Sequence, residues 1–265
     1  MKIAAFAAIA LAVVAFVLSP SWADPAPRPT ACPYCRALLG ADDFCPRCAR
    51  LVGMSATAAT NRFWGDVPYL IQFPPSDTDL TISSKLSDAG IVEETVASRT
   101  GERYTWTPGP DGAEVEGRVS FGRSSKESRL QATIRDTVLG NRLVAREILG
   151  EISGSPDAYL RRTLDYVYTT DGLLSAVKFG TWFFNSASDR KKRPGEWTKH
   201  AVGEIALVRQ DGRLTRIETT VREGRRSLRG EPEYMEPKTK VESAQRAASG
   251  AIDRLVRTTR PEESR

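Results

Sequence analysis

Histidine is almost missing from this chain, whose 265 residues hold one, His200. No site built from several histidines is therefore available, and a lone imidazole at the start of a strand reads as a surface residue. No H-E-x-x-H, G-x-S-x-G, P-loop or G-x-G-x-x-G pattern occurs either. Ser188-Asp189-Arg190-Lys191 satisfies S-x-x-K only inside a charged loop, not at the start of a buried helix. Glu93 and Glu94 are neighbours on a strand and would point to opposite faces, so they share no substrate. A hydrolase whose carboxylates converge from distant strands stays open. Strong charge of one sign is absent too: the formal net charge is +5 and the pI about 9.1. Cysteine is scarce as well, with four residues, all between positions 32 and 48.

The first residues read as an export signal. Lys2 precedes an apolar run over residues 3–18, Ser19-Pro20 breaks it, and Ser21-Trp22-Ala23 offers small residues for cleavage after Ala23. Sixteen residues of helix cover roughly 24 Å, short of the ~30 Å hydrocarbon core, which favours cleavage over an anchor. Either way the rest of the chain is delivered outside the cytoplasm, to the periplasm or beyond. There the natural polyanions are lipid headgroups and envelope polymers, and no nucleic acid is expected. A stiff spacer with Pro25, Pro27 and Pro29 follows over residues 24–31.

Cys32-Pro33-Tyr34-Cys35 and Cys45-Pro46-Arg47-Cys48 are two C-x-x-C turns, nine residues apart. Each turn points two thiols to one side, and two turns facing each other complete an S4 tetrahedron, the geometry that zinc favours. In an oxidising compartment a disulfide-bonded knuckle or a redox pair are the other readings. With Leu39 and Phe44 added, the segment resembles the short zinc-ribbon family built on C-P-x-C-G…L…F-C-P-x-C-G. The resemblance covers 17 residues only. It implies a structural zinc ion held by Cys32, Cys35, Cys45 and Cys48, over a small apolar cluster of Leu39 and Phe44. The family has glycine after each C-x-x-C, in left-handed backbone; here Arg36 and Ala49 stand there, at a cost of about 1–2 kcal/mol each. Asp42 and Asp43 read as turn residues, and Arg36, Arg47 and Arg50 as a solvated basic face that could meet an anionic partner.

Residues 65–230 read as an antiparallel β domain. Asp171-Gly172 suits a two-residue turn, pairing Thr170 with Leu173, Tyr168 with Ser175, Tyr166 with Val177 and Leu164 with Phe179. Asp211-Gly212 suits another, placing Val208 opposite Thr215, Ala206 opposite Ile217 and Val202 opposite Val221. Further strands are expected at 66–73, 80–84, 91–98, 102–107, 113–121, 130–137 and 143–152. Such a meander of nine or ten strands predicts a curved sheet or barrel.

Residues 238–258 read as a C-terminal α-helix, because Val241, Ala244, Ala248, Ile252 and Leu255 repeat at helical spacing. Lys238, Lys240, Arg246, Arg254 and Arg257 make its remainder basic. A basic loop at 186–199 lies between aromatic residues and, like this helix, is a candidate for membrane-surface contact. The fold class expected is thus mainly β: a zinc ribbon at 32–50, a β-meander, then a helix. The function expected is that of an exported, non-enzymatic binding or scaffold protein, with a protein or an anionic envelope component as partner. An envelope hydrolase and a component of an assembly or secretion machine are the alternatives. On this reading Cys35→Ser unfolds the ribbon locally and leaves the β domain cooperative.

Overall fold

The computed structural model describes residues 30–54, 80–98, 101, 103–109, 113–120, 126–153, 159–184, 199–226 and 232–258. The expected leader, most of the spacer, the strand expected at 66–73 and the basic loop up to residue 198 lie outside the described residues. After residue 79 the described chain is all strand and turn: β1 (Leu80–Ser87), β2 (Gly90–Ser98), β3 (Arg103–Pro108), β4 (Glu114–Ser120), β5 (Glu127–Leu139), β6 (Arg142–Ile152), β7 (Tyr159–Tyr168), β8 (Leu174–Phe184), β9 (Lys199–Gln210), β10 (Arg213–Arg226), β11 (Pro232–Tyr234), β12 (Lys238–Arg246) and β13 (Ile252–Thr258). All belong to one antiparallel sheet in the order β1 to β10, then β12 and β13, with the short β11 paired to the end of β10. The alternation of inward apolar and outward polar residues along β3, β5 and β7 is the pattern of strands with one buried face.

The expected C-terminal helix is not there. Its residues form the hairpin β12–β13, joined by a turn in which the Gly250 amide donates to the Ala247 carbonyl. Gly250, at φ +80, is a turn residue in what the helical reading took as helix interior. The helical spacing has another cause. In β13, Ile252 and Leu255 both face the core although they stand three positions apart, because Asp253 is an extra residue in the ladder: Ile252 pairs with Arg246, and Arg254 with Gln245. A bulge converts two-residue alternation into a three-residue step, which imitates a helix.

The same bulge recurs, always one residue after the first core-facing residue of the second strand in a hairpin. Val92 follows Ile91, Val144 follows Leu143, Ser175 follows Leu174 and Thr215 follows Leu214. These bulges correct the expected registers. Tyr166 and Leu164 do pair with Val177 and Phe179, but Tyr168 faces Leu174 rather than Ser175. Across β9–β10, Arg216 lies opposite Val208, Ile217 opposite Leu207 and Val221 opposite Gly203, one residue off the expected register. With Thr215 absorbed, Leu214, Ile217 and Val221 join Ile205 and Leu207 in a single core face. Asp211 and Gly212 both have positive φ, as the expected tight turn needs.

The sheet is strongly curled. Laid flat, β2 and β13 would be about 48 Å apart, at ~4.8 Å per strand. Yet Arg50 bonds Glu94 on β2 while the Gly53 carbonyl accepts from the Ile252 amide on β13. Three residues of backbone span at most about 11 Å, so both edges must fold in around the segment that holds Arg50 and Gly53. Deep in the core, Arg162 on β7 donates to Thr181, and burial lowers its pKa to about 9, against the nearby Tyr104 and Tyr166. Tyr104 lies on β3, and its approach to β7 needs the same curl. Among the described residues no ladder joins β1 to β13, so the sheet stays open along that seam.

Ala248→Pro tests the corrected C-terminal segment. Ala248 is exposed at the second position of the turn, where proline is favoured. The unfolding free energy should change by less than about 1 kcal/mol, whereas a helix interior would lose about 3 kcal/mol; a urea titration distinguishes the two.

Candidate metal centre

The two C-x-x-C segments fold as copies of one turn. The amide of Cys32 donates to the Ala37 carbonyl and that of Cys45 to the Arg50 carbonyl, each at 2.8 Å. The amides of Arg36 and Ala49 donate back to the Cys32 and Cys45 carbonyls. An isolated bridge closes each copy, Ala31 with Leu38 and Phe44 with Leu51. Arg36 and Ala49 have φ of 61° and 57°, the left-handed backbone that the ribbon resemblance implies at these positions.

These turns bring all four expected ligands together. The sulfurs of Cys32, Cys35, Cys45 and Cys48 all lie within 4.8 Å of one another, and all four cysteines are free. Cys32 and Cys48 are 3.7 Å apart and Cys35 and Cys45 3.6 Å. A zinc ion with Zn–S bonds of about 2.3 Å needs sulfurs about 3.8 Å apart, and a disulfide would need about 2.05 Å. The set therefore fits one tetrahedral metal ion. The amides of Cys35 and Cys48 donate to the sulfurs of Cys32 and Cys45. Hydrogen bonds from Cys35, Cys45 and Cys48 hold the Cys32 thiol well below its ordinary range, while the Cys32, Cys35 and Cys45 sulfurs push Cys48 well above it. Four crowded sulfurs thus compete for protons, and a divalent cation would relieve that competition by taking their place.

Several of the other expected residues have a different role from the one their type suggested. Asp42 and Asp43 are not among the metal-binding group. Asp42 instead accepts from the Leu174 amide and Arg209, and Asp43 from the Leu214 amide and Arg246. Arg50 is buried and bonds Glu94 through both oxygens, at 2.8 and 2.9 Å, with Ser84 donating to the same carboxylate. Only Arg36 and Arg47 of the supposed basic face remain exposed, and Arg36 donates to the Ser87 carbonyl. Phe44 is buried in the common core, while Leu39 is half-buried. His200 is buried too, edge-on to Tyr234 at 4.8 Å, and burial lowers its pKa.

The module therefore sits on one end of the curled sheet, against the hairpin turns. Four amides meet it there: Leu143 to the Pro46 carbonyl, Leu174 to Asp42, Leu214 to Asp43, and Ile252 to the Gly53 carbonyl. Each belongs to the residue just before a bulge, where the disturbed ladder leaves the amide turned toward the module. Tyr168 adds a bond to the Leu143 carbonyl at 2.8 Å and a longer one to Pro46. At Gly90 a Cβ would lie 2.6 Å from the Tyr34 carbonyl, so the β1–β2 turn admits the first knuckle only with glycine. Sequence reasoning missed these partners, because nothing local pairs an aspartate at 43 with an arginine at 246.

No protein-family model matches the chain, and neither do the curated proteins or the solved structures.

Two substitutions check this geometry. Arg36→Gly should be more stable than Arg36→Ala by about 1 kcal/mol, since only glycine relieves the left-handed backbone. Asp43→Ala should cost about 3 kcal/mol by removing the carboxylate that pairs with Arg246 and accepts from the Leu214 amide, as read from the shift in urea midpoint.

Proposed function

We propose that this is an exported, non-enzymatic scaffold or binding protein in which a structural zinc ion pins a small ribbon across the seam of a curled β-sheet. The observation that carries it is the location of the four-cysteine cluster. The segment that holds the cysteines bonds strands near both edges of the sheet, through Arg50 to Glu94 and Gly53 to Ile252. The metal assignment rests on the ligand set: four soft thiolates at tetrahedral spacing suit zinc, and they leave no open position where a water or substrate could be activated. Such an ion holds structure. The residues beside it support that reading, because Asp42, Asp43 and Arg50 are engaged in joining ribbon to sheet rather than facing an open cleft. Export rests on the leader, and a partner that is a protein or an anionic envelope polymer on the compartment and the mild basic charge.

Metal content and thiol titration on protein from the exported fraction test this. The expected result is one zinc per chain, four thiols reactive only after denaturation, and an N-terminus at Asp24. No zinc, with two thiols or none, would sink it in favour of disulfides. Because Phe44 and Leu51 share one core with the sheet, Cys35→Ser should lower the main unfolding transition itself, by about 3 kcal/mol or more. An unchanged main transition would make the ribbon a separate folding unit.

A further inference from the structure

The end of the sheet that carries the ribbon also carries four of the seven large apolar side chains that are exposed among the described residues. These are Leu38, Leu86, Val92 and Leu139, which the ribbon and the β1–β2 and β5–β6 turns place at this end. Leu38 lies on the ribbon just past the first knuckle, at 76 % exposure, and Leu139 on the tip of the β5–β6 hairpin, at 75 %. The internal symmetry of the ribbon makes Leu38 the anomaly: its counterpart in the second knuckle, Leu51, is 1 % exposed. Leu86 borders the β1–β2 turn, next to the carbonyl that Arg36 engages. Val92 is itself a bulge residue, which accounts for its exposure. The leucines are not explained by packing.

Charge at the same end has one predominant sign. Exposed Arg36, Arg47, Lys85, Arg142 and Arg213 outnumber exposed Asp88, Asp171 and Asp211. Arg47, Lys85, Arg142 and Arg213 form no ion pair among the described residues; Arg142 lies over the Tyr168 ring instead. The carboxylates that would neutralise this end, Asp42 and Asp43, are turned inward onto Arg209 and Arg246. Apolar tips among exposed cations that outnumber the exposed carboxylates five to three have the composition of a surface that enters the headgroup layer of an anionic bilayer: leucines reach the acyl boundary and guanidinium groups meet phosphates. A protein groove would instead call for one contiguous apolar patch.

We propose that the ribbon end of this protein docks on the surface of an anionic lipid bilayer, with Leu38 and Leu139 as inserted tips and Arg47, Arg142 and Arg213 on the lipid phosphates. The proposal rests on the metal-pinned ribbon described above, which holds these loops at one end. It places the contact on the ribbon, not on the basic loop at 186–199 or the C-terminal segment.

Co-sedimentation with vesicles tests it, using protein from the exported fraction whose zinc content has been verified. Vesicles of phosphatidylglycerol and phosphatidylcholine in equal parts are compared with phosphatidylcholine alone. The protein should bind the mixed vesicles and release as salt rises. Leu38→Ser with Leu139→Ser should weaken binding about tenfold and Arg47→Glu about fivefold, with zinc content and the thermal transition unchanged. The variants share every other segment, so the differences report the ribbon end alone. No binding, equal binding by the variants, or self-association of the protein through these leucines would each overturn the proposal. Loss of zinc in the starting protein would instead indict the metal reading and is scored separately.

Discussion

A β-sheet of twelve consecutively paired strands has two free edges, and each presents unpaired backbone groups. Barrels remove the problem by closing the ladder. Among the described residues the ladder stays open, and a ribbon over residues 30–54 bridges the gap from one end. Its own fold holds Arg36 and Arg50 near the β1–β2 hairpin while Gly53 and Met54 reach β13. The bridge ties the two edges to each other, since no other element among the described residues bonds both β2 and β13.

The bonds that form the bridge are mostly charged and buried. Arg50 and Glu94 have side chains 4 % and 0 % exposed, and Asp43 pairs Arg246 at 2.7 Å. Such pairs cost about as much to desolvate as they return, so they add little net stability. Their effect is on specificity. A ribbon held only by Phe44 and Leu51 could slide against an apolar sheet end. One whose aspartates must meet the Leu174 and Leu214 amides has one seat, and in that seat the four sulfurs lie beside the hairpin turns. The position of the cysteine cluster and the seat of the ribbon on the sheet are thereby set by the same few residues.

The repeated bulges show how local pattern can mislead. Ile252 and Leu255, Leu214 and Ile217, and Leu174 and Val177 are each three residues apart and each face the core. Spacing by three is the signature of a helix when only a segment is considered, and it drew residues 238–258 toward that reading. In β9–β10 the Asp211-Gly212 turn was legible but the bulge was not, so the register slipped beyond Leu214. In β7–β8 the chain turns over residues 169–173, with the Thr169 amide donating to the Leu173 carbonyl rather than Thr170 facing Leu173, and the bulge at Ser175 restores the expected pairing of Tyr166 with Val177. At four of the five bulges the pre-bulge amide, of Leu143, Leu174, Leu214 or Ile252, donates to the ribbon, which gives the extra residue there a tertiary purpose. That partner lies outside any window that a strand pattern covers.

The amino acids alone carry whatever acts within a few residues. The C-P-x-C turns, the left-handed positions at Arg36 and Ala49, the Asp211-Gly212 turn and the alternation along the strands are all short-range chemistry, set by backbone sterics and side-chain period. Which groups meet across the molecule is a different matter. The partners of Asp42 and Asp43 lie 132 to 203 residues away, and nothing in the character of an aspartate beside a cysteine names them. They meet because thirteen strands curl until strands near both edges of the sheet reach the same ribbon. Burial of Arg50, Glu94 and His200 follows from that curl, since burial belongs to the packed whole and not to the residue.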